Sequence, residues 1–254
     1  MQKLFFLLPL FILNVLLFSC GNKNSDFVPK DSIKDYYPLS VGKYITYRVD
    51  STVFVRSGSQ VAVHQYQVKH LIESVTTDNQ GRQTFVVHRT LRNADGTGNW
   101  QDDGLYYITP AENSIEVTED NIKVIKITNP IYTGASWKGN AYLAADPYAD
   151  LYDTQAGRDM NTWNFSYYNF GDTTVDNHTY RDVWSVQQNN TVLNIPPTSG
   201  TQLGLKEVGF EKYAKGIGMV YRHNDIYDFQ GPNEDNPQGT YAGFGISMWM
   251  IDHN

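Results

Sequence analysis

The groups in this chain of 254 residues that can do chemistry are six histidines, 27 acidic residues and one cysteine. His64 and His70 lie six positions apart in a stretch of alternating polar and apolar residues, so they share one face of a strand. At roughly 3.3 Å per residue they stand about 20 Å apart, too far to ligate one metal ion. His88 falls across a hairpin from one of them, and all three are expected to be polar positions on a half-wet sheet. Asp102 and Asp103 are adjacent, and neighbours on a strand point to opposite faces. Paired glycosidase carboxyls sit roughly 5 to 9 Å apart and converge on one bond. Asp102-Asp103 is expected instead to form a turn before Gly104. Asp146, Asp150 and Asp153, interleaved with Tyr148 and Tyr152, offer oxygen ligands of the kind Ca²⁺ takes, but without EF-hand spacing. A solvated acidic loop is expected there. No Gly-x-Ser-x-Gly nucleophile elbow occurs. The chain is therefore expected not to be an enzyme, with no catalytic residue, no metal site and no cofactor.

The elements that carry these residues follow a period of two. Ile45, Tyr47, Val49, Val53 and Val55 fall on one face, and Tyr44, Thr46, Arg48, Asp50 and Thr52 on the other, the pattern of a strand with one wet face. A turn at Ser57-Gly58-Ser59 leads into a long strand over 60–76. Asp78-Asn79-Gln80-Gly81 turns into a strand over 82–92. Further strands are expected at 105–108, 114–117, 122–128, 163–170, 180–188, 207–213, 218–223 and 241–251. Glu119-Asp120-Asn121 is read as a turn. Residues 189–203, with Pro196-Pro197, and 231–239 are read as loops. Alanines and aspartates near residues 143–160 suggest one short helix or an irregular insertion. Aromatics make up 14% of the chain, with 18 Tyr, which suits pleated, half-buried surfaces. Trp163, Phe165 and Tyr167 form an aromatic stripe on one face, and Tyr241 and Trp249 share another. The expected fold is all-β: one antiparallel meander over 36–254 that curls into a barrel or half-barrel.

The first twenty residues have a different character. Lys3 precedes a run, Leu4 to Phe18, that is apolar except for Asn14 and is interrupted by Pro9. It falls short of the roughly 20 residues a membrane span needs and has the form of a signal peptide, residues 1–19. Leu17-Phe18-Ser19-Cys20-Gly21 resembles the lipobox of bacterial lipoproteins. The resemblance implies cleavage before Cys20 and acylation of that residue by diacylglyceryl and palmitate-type chains, which anchor the protein to a membrane. Cys20 is the only cysteine in the chain, whereas exported domains otherwise use cysteines in pairs. Each buried CH₂ adds about 0.8 kcal/mol of membrane affinity, so several chains make a lasting anchor. Residues 20–35 open with a polar run and are expected to be a flexible tether. Gly21, in place of an Asp, implies the outer membrane. Asp26 is the only acidic residue before Asp31, which favours the periplasmic face over the cell surface.

Without residues 1–19 the chain holds 19 Lys and Arg against 27 Asp and Glu, a net charge of −8. That excludes nucleic acid as the main partner. Two further segments carry a resemblance. Tyr36-Tyr37-Pro38-Leu39-Ser40-Val41-Gly42-Lys43-Tyr44-Ile45-Thr46-Tyr47 resembles the opening of a set of uncharacterised envelope lipoproteins, many of them from Bacteroidota. Tyr213-Ala214-Lys215-Gly216-Ile217-Gly218-Met219-Val220-Tyr221-Arg222 resembles their closing segment, a Gly-x-Gly before a strand that ends on a basic residue. Ile45 departs from the Trp the set often carries. The glycines are expected to serve a bulge or a close backbone approach. Asp31-Ser32-Ile33, Asp50-Ser51-Thr52 and Asp172-Thr173-Thr174 resemble a short O-glycosylation sequon of Bacteroidota. The function expected is a non-enzymatic, membrane-anchored binding module for a lipid or other apolar ligand held in the curled sheet. The alternative is an accessory subunit docked onto an outer-membrane protein complex.

Overall fold

The computed structural model describes residues 31–254. The expected signal peptide, Cys20 and the expected tether as far as Lys30 lie outside the described residues. The last part of the expected tether is structured. Ser32 caps a helical turn, α1 (Ile33–Tyr36), by accepting from the Lys34 N–H at 3.3 Å, while the Asp35 carboxylate accepts from the Ser32 N–H at 3.0 Å. Ile33 and Tyr36 are each 1% exposed. Within the described residues, 31–36 are therefore packed rather than tether-like, because two apolar side chains of α1 are buried.

Twelve strands follow in one antiparallel sheet. They are β1 (Tyr44–Val55), β2 (Gln60–Thr77), β3 (Gln83–Asn93), β4 (Gln101–Pro110), β5 (Ser114–Glu119) and β6 (Ile122–Thr128), then β7 (Ser136–Trp137), β8 (Phe165–Val175), β9 (His178–Leu193), β10 (Leu203–Ala214), β11 (Gly218–Gln230) and β12 (Thr240–His253). Their spatial order is β6-β5-β4-β3-β2-β1-β12-β11-β10-β9-β8-β7. Two meanders, each in sequence order, are joined where the first and last strands pair. The sheet curls into a nearly closed barrel, as the period-two pattern predicts.

The ends of the sheet are β6 and β7, which are consecutive in the chain. Their seam is not a regular ladder. The Ile125 N–H donates to the Gly139 carbonyl at 2.8 Å, and the Trp137 indole Nε1 donates to the Ile125 carbonyl at 2.9 Å. The Tyr167 hydroxyl accepts from the Thr128 N–H at 3.0 Å and donates to the Thr128 carbonyl at 2.8 Å. Side chains thus satisfy backbone groups that an open edge would leave to water.

The inner face carries Tyr47, Val49, Val68, Ile72, Val87, Ile108, Val186 and Ile226, all buried. The segment between β7 and β8 is an irregular insertion ending in a 3₁₀ turn (Met160–Thr162). It packs onto the concave face: Ala156 is fully buried, the Gly157 N–H donates to Glu207 Oε1 at 2.9 Å, the Gln155 N–H donates to Asp228, and Tyr148 meets Phe244 edge-on at 5.0 Å. The expected groove along the curled sheet is therefore largely filled by the chain itself.

Two further expectations are corrected. Residues 189–193 continue β9 rather than forming a loop, because they pair in register with Leu205–Gly209; that ladder outweighs the poor strand propensity of asparagine. Asp102 and Asp103 lie within β4 rather than in a turn; Gly104 follows them at φ +92° and the register with β3 shifts there. That is bulge geometry, with the strand continuing through it.

Candidate functional site

The inner face is not uniformly apolar. In β10 the alternation sends Glu207, Glu211 and Tyr213 inward and leaves Phe210 outside, against Tyr168. Glu211 is 1% exposed. Its Oε1 accepts from Lys126 Nζ of β6 at 2.7 Å and from Arg222 Nε of β11 at 2.9 Å, and its Oε2 accepts from the Tyr213 hydroxyl. Arg222 also faces Glu119 at 3.5 Å, and Glu119 takes Arg89 of β3 at 2.8 Å. Arg89 reaches on to Asp103 at 2.8 Å and Asp120 at 3.3 Å. Four acids and three bases thus tie β3, β4, β5 and β6 to β10 and β11 through the barrel interior.

Each charge is held by its neighbours. Burial pushes the Glu211 carboxyl up, but Lys126 and Arg222 outweigh it and bring it to about 2. Burial also opposes ionisation of Glu119, and Arg222, His70 and Arg89 lower it to about 2. Burial acts against the charge on Arg222 and Arg89 too, yet the surrounding carboxylates raise both. An isolated ion here costs several kcal/mol, so the layer is stable only as a connected set.

Beside this layer lies a small chamber of about 50 Å³. Ile72, Val87, Ile108 and Val117 form apolar walls, and Glu119, Arg222, His70, Tyr47 and Tyr106 supply polar groups. His70 Nδ1 is 2.9 Å from the Tyr106 hydroxyl, and Tyr47 donates to the Met219 carbonyl at 2.9 Å. Burial lowers His70 to about 4, so its imidazole is neutral near pH 7. The two segments that resemble envelope lipoproteins meet here: Tyr37, Pro38, Leu39, Ile45 and Tyr47 from the opening, and Ile217, Gly218, Met219 and Arg222 from the closing. A Cβ on Gly218 would lie 3.2 Å from Ile45, the close approach expected of that glycine. The volume holds roughly four water molecules.

A larger space opens elsewhere. A cleft of about 400 Å³ lies between the end of β1 and the turn after it (Val53, Phe54, Ser57), the insertion (Leu151, Tyr152, Asp153), the end of β11 (Gln230) and the start of β12 (Thr240, Tyr241, Ala242, Gly243). Phe54 stacks on Tyr241 at 5.2 Å and 12° between planes, and Tyr227 braces both edge-on at 5.1 and 6.1 Å. Tyr152 leans on Phe244 at 5.5 Å. The backbone is equally fixed. Gly243 has φ +115°, and a Cβ there would come 2.2 Å from the Ile226 carbonyl oxygen. The Tyr241 N–H donates to the Gly58 carbonyl at 2.9 Å, which locks the β1–β2 turn to β12. Leu151, 72% exposed, forms the outer lip. Pockets for small ligands run from roughly 300 to 1,000 Å³; this cleft falls in that range, and its lining is polar and apolar in about equal measure.

The residues singled out from sequence are spread apart. His64 is exposed near one end of β2, while His70 is buried in the chamber. His88 is level with Leu71 rather than His70, so it points outward, where Nε2 meets Asp102 at 2.7 Å. Asp103 turns inward to Arg89, the opposite-face geometry expected of neighbours. Among the described residues no three His, Cys, Asp or Glu side chains converge as a metal site would require. Asp146 pairs with Arg158 at 3.8 Å, and Asp153 lines the cleft. Trp163, Phe165 and Tyr167 are core, at 7%, 1% and 1% exposed. Cys20 lies outside the described residues.

Sequence reasoning missed the ionic layer, apart from the basic residue that closes the second motif, Arg222. Glu119, expected in a turn, ends β5, and the turn proper is Asp120-Asn121, both at positive φ. The cleft was missed too, because its walls come from four separated segments.

No protein-family model matches the chain, and no curated protein matches it by sequence. Solved structures are similar in outline. One is from Bacteroides fragilis, assigned as an exported protein with a YmcC-like fold: 12% identity, covering 85% of this chain and 99% of that one, TM-score 0.40. Another is from Parabacteroides distasonis, assigned as a lipoprotein: 9% identity, 86% and 98% covered, TM-score 0.42. LprF from Mycobacterium bovis aligns over 84% and 85% at 9% identity, with a TM-score of 0.22.

Proposed function

We propose that the protein is a non-enzymatic binding module of the cell envelope, held by lipid on Cys20 at the periplasmic face of the outer membrane, and that its ligand is a lipid or other apolar molecule. The anchor rests on the lipobox-like segment. The binding reading rests on one observation, the open cleft walled by Phe54, Leu151, Tyr152 and Tyr241. The ligand site is this cleft rather than the concave face, which the insertion fills. The chamber at the ionic layer is the less suitable cavity: 50 Å³ takes a few waters or the tip of a chain.

Native mass spectrometry of the full-length protein, extracted from its own envelope, tests this. A reproducible added mass, lost in Ala242→Phe, is the expected result. A clean apo mass in both proteins argues for the second reading, an accessory subunit docked onto an outer-membrane protein. That reading is favoured by β8, which pairs with β7 only through Phe165 and Ser166 and exposes Tyr168 and Phe170 at 43% and 42%. Cross-linking from Tyr168 then identifies the partner.

A further inference from the structure

The charge and ring content of the cleft narrow the ligand, on the reading that the cleft is a binding site. Its lining contains one acidic side chain, Asp153, and no lysine, arginine or histidine. Asp153 is exposed and makes no salt bridge or side-chain hydrogen bond among the described residues, so its carboxylate is free to pair with an incoming group. The other walls are the rings of Phe54, Tyr152 and Tyr241, with hydroxyls from Ser57 and Thr240 and the Gln230 amide. Elsewhere on this molecule such rings are already covered by cations: Arg48 lies over Trp249 at 4.3 Å, Lys69 over Tyr44 at 3.9 Å and Arg92 over Trp100 at 4.3 Å. No described cation lies over Phe54, Tyr152 or Tyr241, although Lys206 approaches the bracing ring of Tyr227 at 5.7 Å.

We infer that the cleft takes a cationic amphiphile, an apolar body carrying an ammonium group. Aromatic faces bear negative potential and attract an ammonium ion, most strongly where water is partly excluded. The Asp153 carboxylate adds a formal countercharge at the rim. The net negative charge of the chain, −7, favours the same sign of ligand at longer range. An anionic head finds no positive partner in the lining and one repelling carboxylate. A neutral head gains hydrogen bonds only.

The test uses the full chain reconstituted in phosphatidylglycerol vesicles, whose headgroups carry no ammonium. Three soluble probes share one chain length: hexyltrimethylammonium, hexanol and hexanoate. Binding is read by calorimetry, with Asp153→Asn in the same vesicles as the control for adsorption to the anionic surface. The expected order is hexyltrimethylammonium about tenfold tighter than hexanol, with hexanoate weakest. Asp153→Asn brings the cation close to hexanol, and Tyr241→Leu weakens the cation while leaving hexanol nearly unchanged. Hexanol or hexanoate binding as tightly as the cation overturns the inference but leaves the binding module standing. Failure of all three probes to bind, with Ala242→Phe making no difference, overturns both. Asp153 is exposed and unbonded, so its substitution does not put folding at risk.

Discussion

Glu211 and Arg222 are cross-strand partners on β10 and β11, and their side chains meet inside the barrel, with Arg222 Nε 2.9 Å from Glu211 Oε1. A buried pair of this kind contributes little net stability compared with apolar residues, yet removing one partner strands the other. Arg222→Met leaves Glu211 with Lys126 as its one base, beside the Tyr213 hydroxyl, and takes from Glu119 one of its two bases. The expected loss is roughly 3 to 5 kcal/mol, measured by urea denaturation. Pairing that change with Glu211→Met and comparing the singles isolates the coupling. The double variant is expected to be less damaged than the two singles summed. Strict additivity would refute the view that the layer acts as a connected set.

The same layer sets an acid response in two stages. His70 has a folded pKa of about 4 against an ordinary 6.5, because burial disfavours its charged form. The unfolded chain therefore takes up a proton that the folded one refuses, and stability falls as pH drops from about 6.5 to about 4, by on the order of 3 kcal/mol. Glu119 and Glu211, at about 2 against 4.5, contribute stability that is complete above about 4.5 and is lost as pH falls towards 2. Urea midpoints measured from pH 8 to pH 3 are expected to show both limbs. His70→Phe lowers stability at pH 7, since the Tyr106 hydroxyl loses its partner, and flattens the upper limb. An unchanged slope between pH 6.5 and pH 4 in that variant rules out His70 as its source.

Most strands were legible because alternation survives wherever one face is wet: β6 was bounded to the residue, and β2 to within one. The turns were legible only in part. Asp78-Asn79-Gln80-Gly81 announced itself, and the structure uses it, with Gly81 at φ +76° and Asp78 accepting from the Gln80 and Arg82 N–H groups. The β8–β9 turn, Asp176-Asn177, is the same dipeptide as Asp120-Asn121 and has closely similar positive φ values, yet its surroundings do not announce it. No glycine marks it, and the flanking Thr174, Val175, His178 and Thr179 do not alternate cleanly. The ionic layer was hidden for a different reason. Periodicity assigns charged residues to the wet face, and in β10 the two acids, Glu207 and Glu211, face inward. For Glu211 only its partners make that placement tolerable: Arg222, eleven residues on, and Lys126, 85 residues back.

Backbone rather than side chain fixes the cleft wall at two glycines. A Cβ on Gly243 would sit 2.2 Å from the Ile226 carbonyl oxygen, and one on Gly58 would sit 2.3 Å from the Tyr241 carbonyl oxygen. Neither obstacle is the end of a flexible side chain, and both glycines have positive φ, at +115° and +84°. Gly58→Ala is expected to break the Gly58–Tyr241 hydrogen bond and abolish the added mass expected in native mass spectrometry. The fold is expected to persist, at a cost of a few kcal/mol. Retention of both the ligand and wild-type stability in Gly58→Ala would show that the β1–β2 turn does not hold the cleft.

At the seam of the barrel, the Tyr167 hydroxyl does the work of a neighbouring strand. It accepts from the Thr128 N–H and donates to the Thr128 carbonyl, at 3.0 and 2.8 Å, where β6 has no full ladder partner. The ring is 1% exposed, against Trp137 at 4.8 Å and Trp184 at 5.3 Å, so Tyr167→Phe keeps the packing and deletes only the hydroxyl. Two backbone groups then lose their partner together. An unsatisfied buried group costs about 1 to 3 kcal/mol, and partial access to water at the seam holds the sum near the low end, about 2 kcal/mol. The local signature matters more than the total. Hydrogen exchange of the Thr128 amide is expected to accelerate well beyond the change in global stability, while amides in the β1–β12 ladder follow the global change alone. Trp137→Phe, which removes the indole bond to the Ile125 carbonyl, is expected to loosen the same segment of β6. Uniform acceleration across the sheet in both variants would mean that the barrel opens only by global unfolding, with no weak point between β6 and β7.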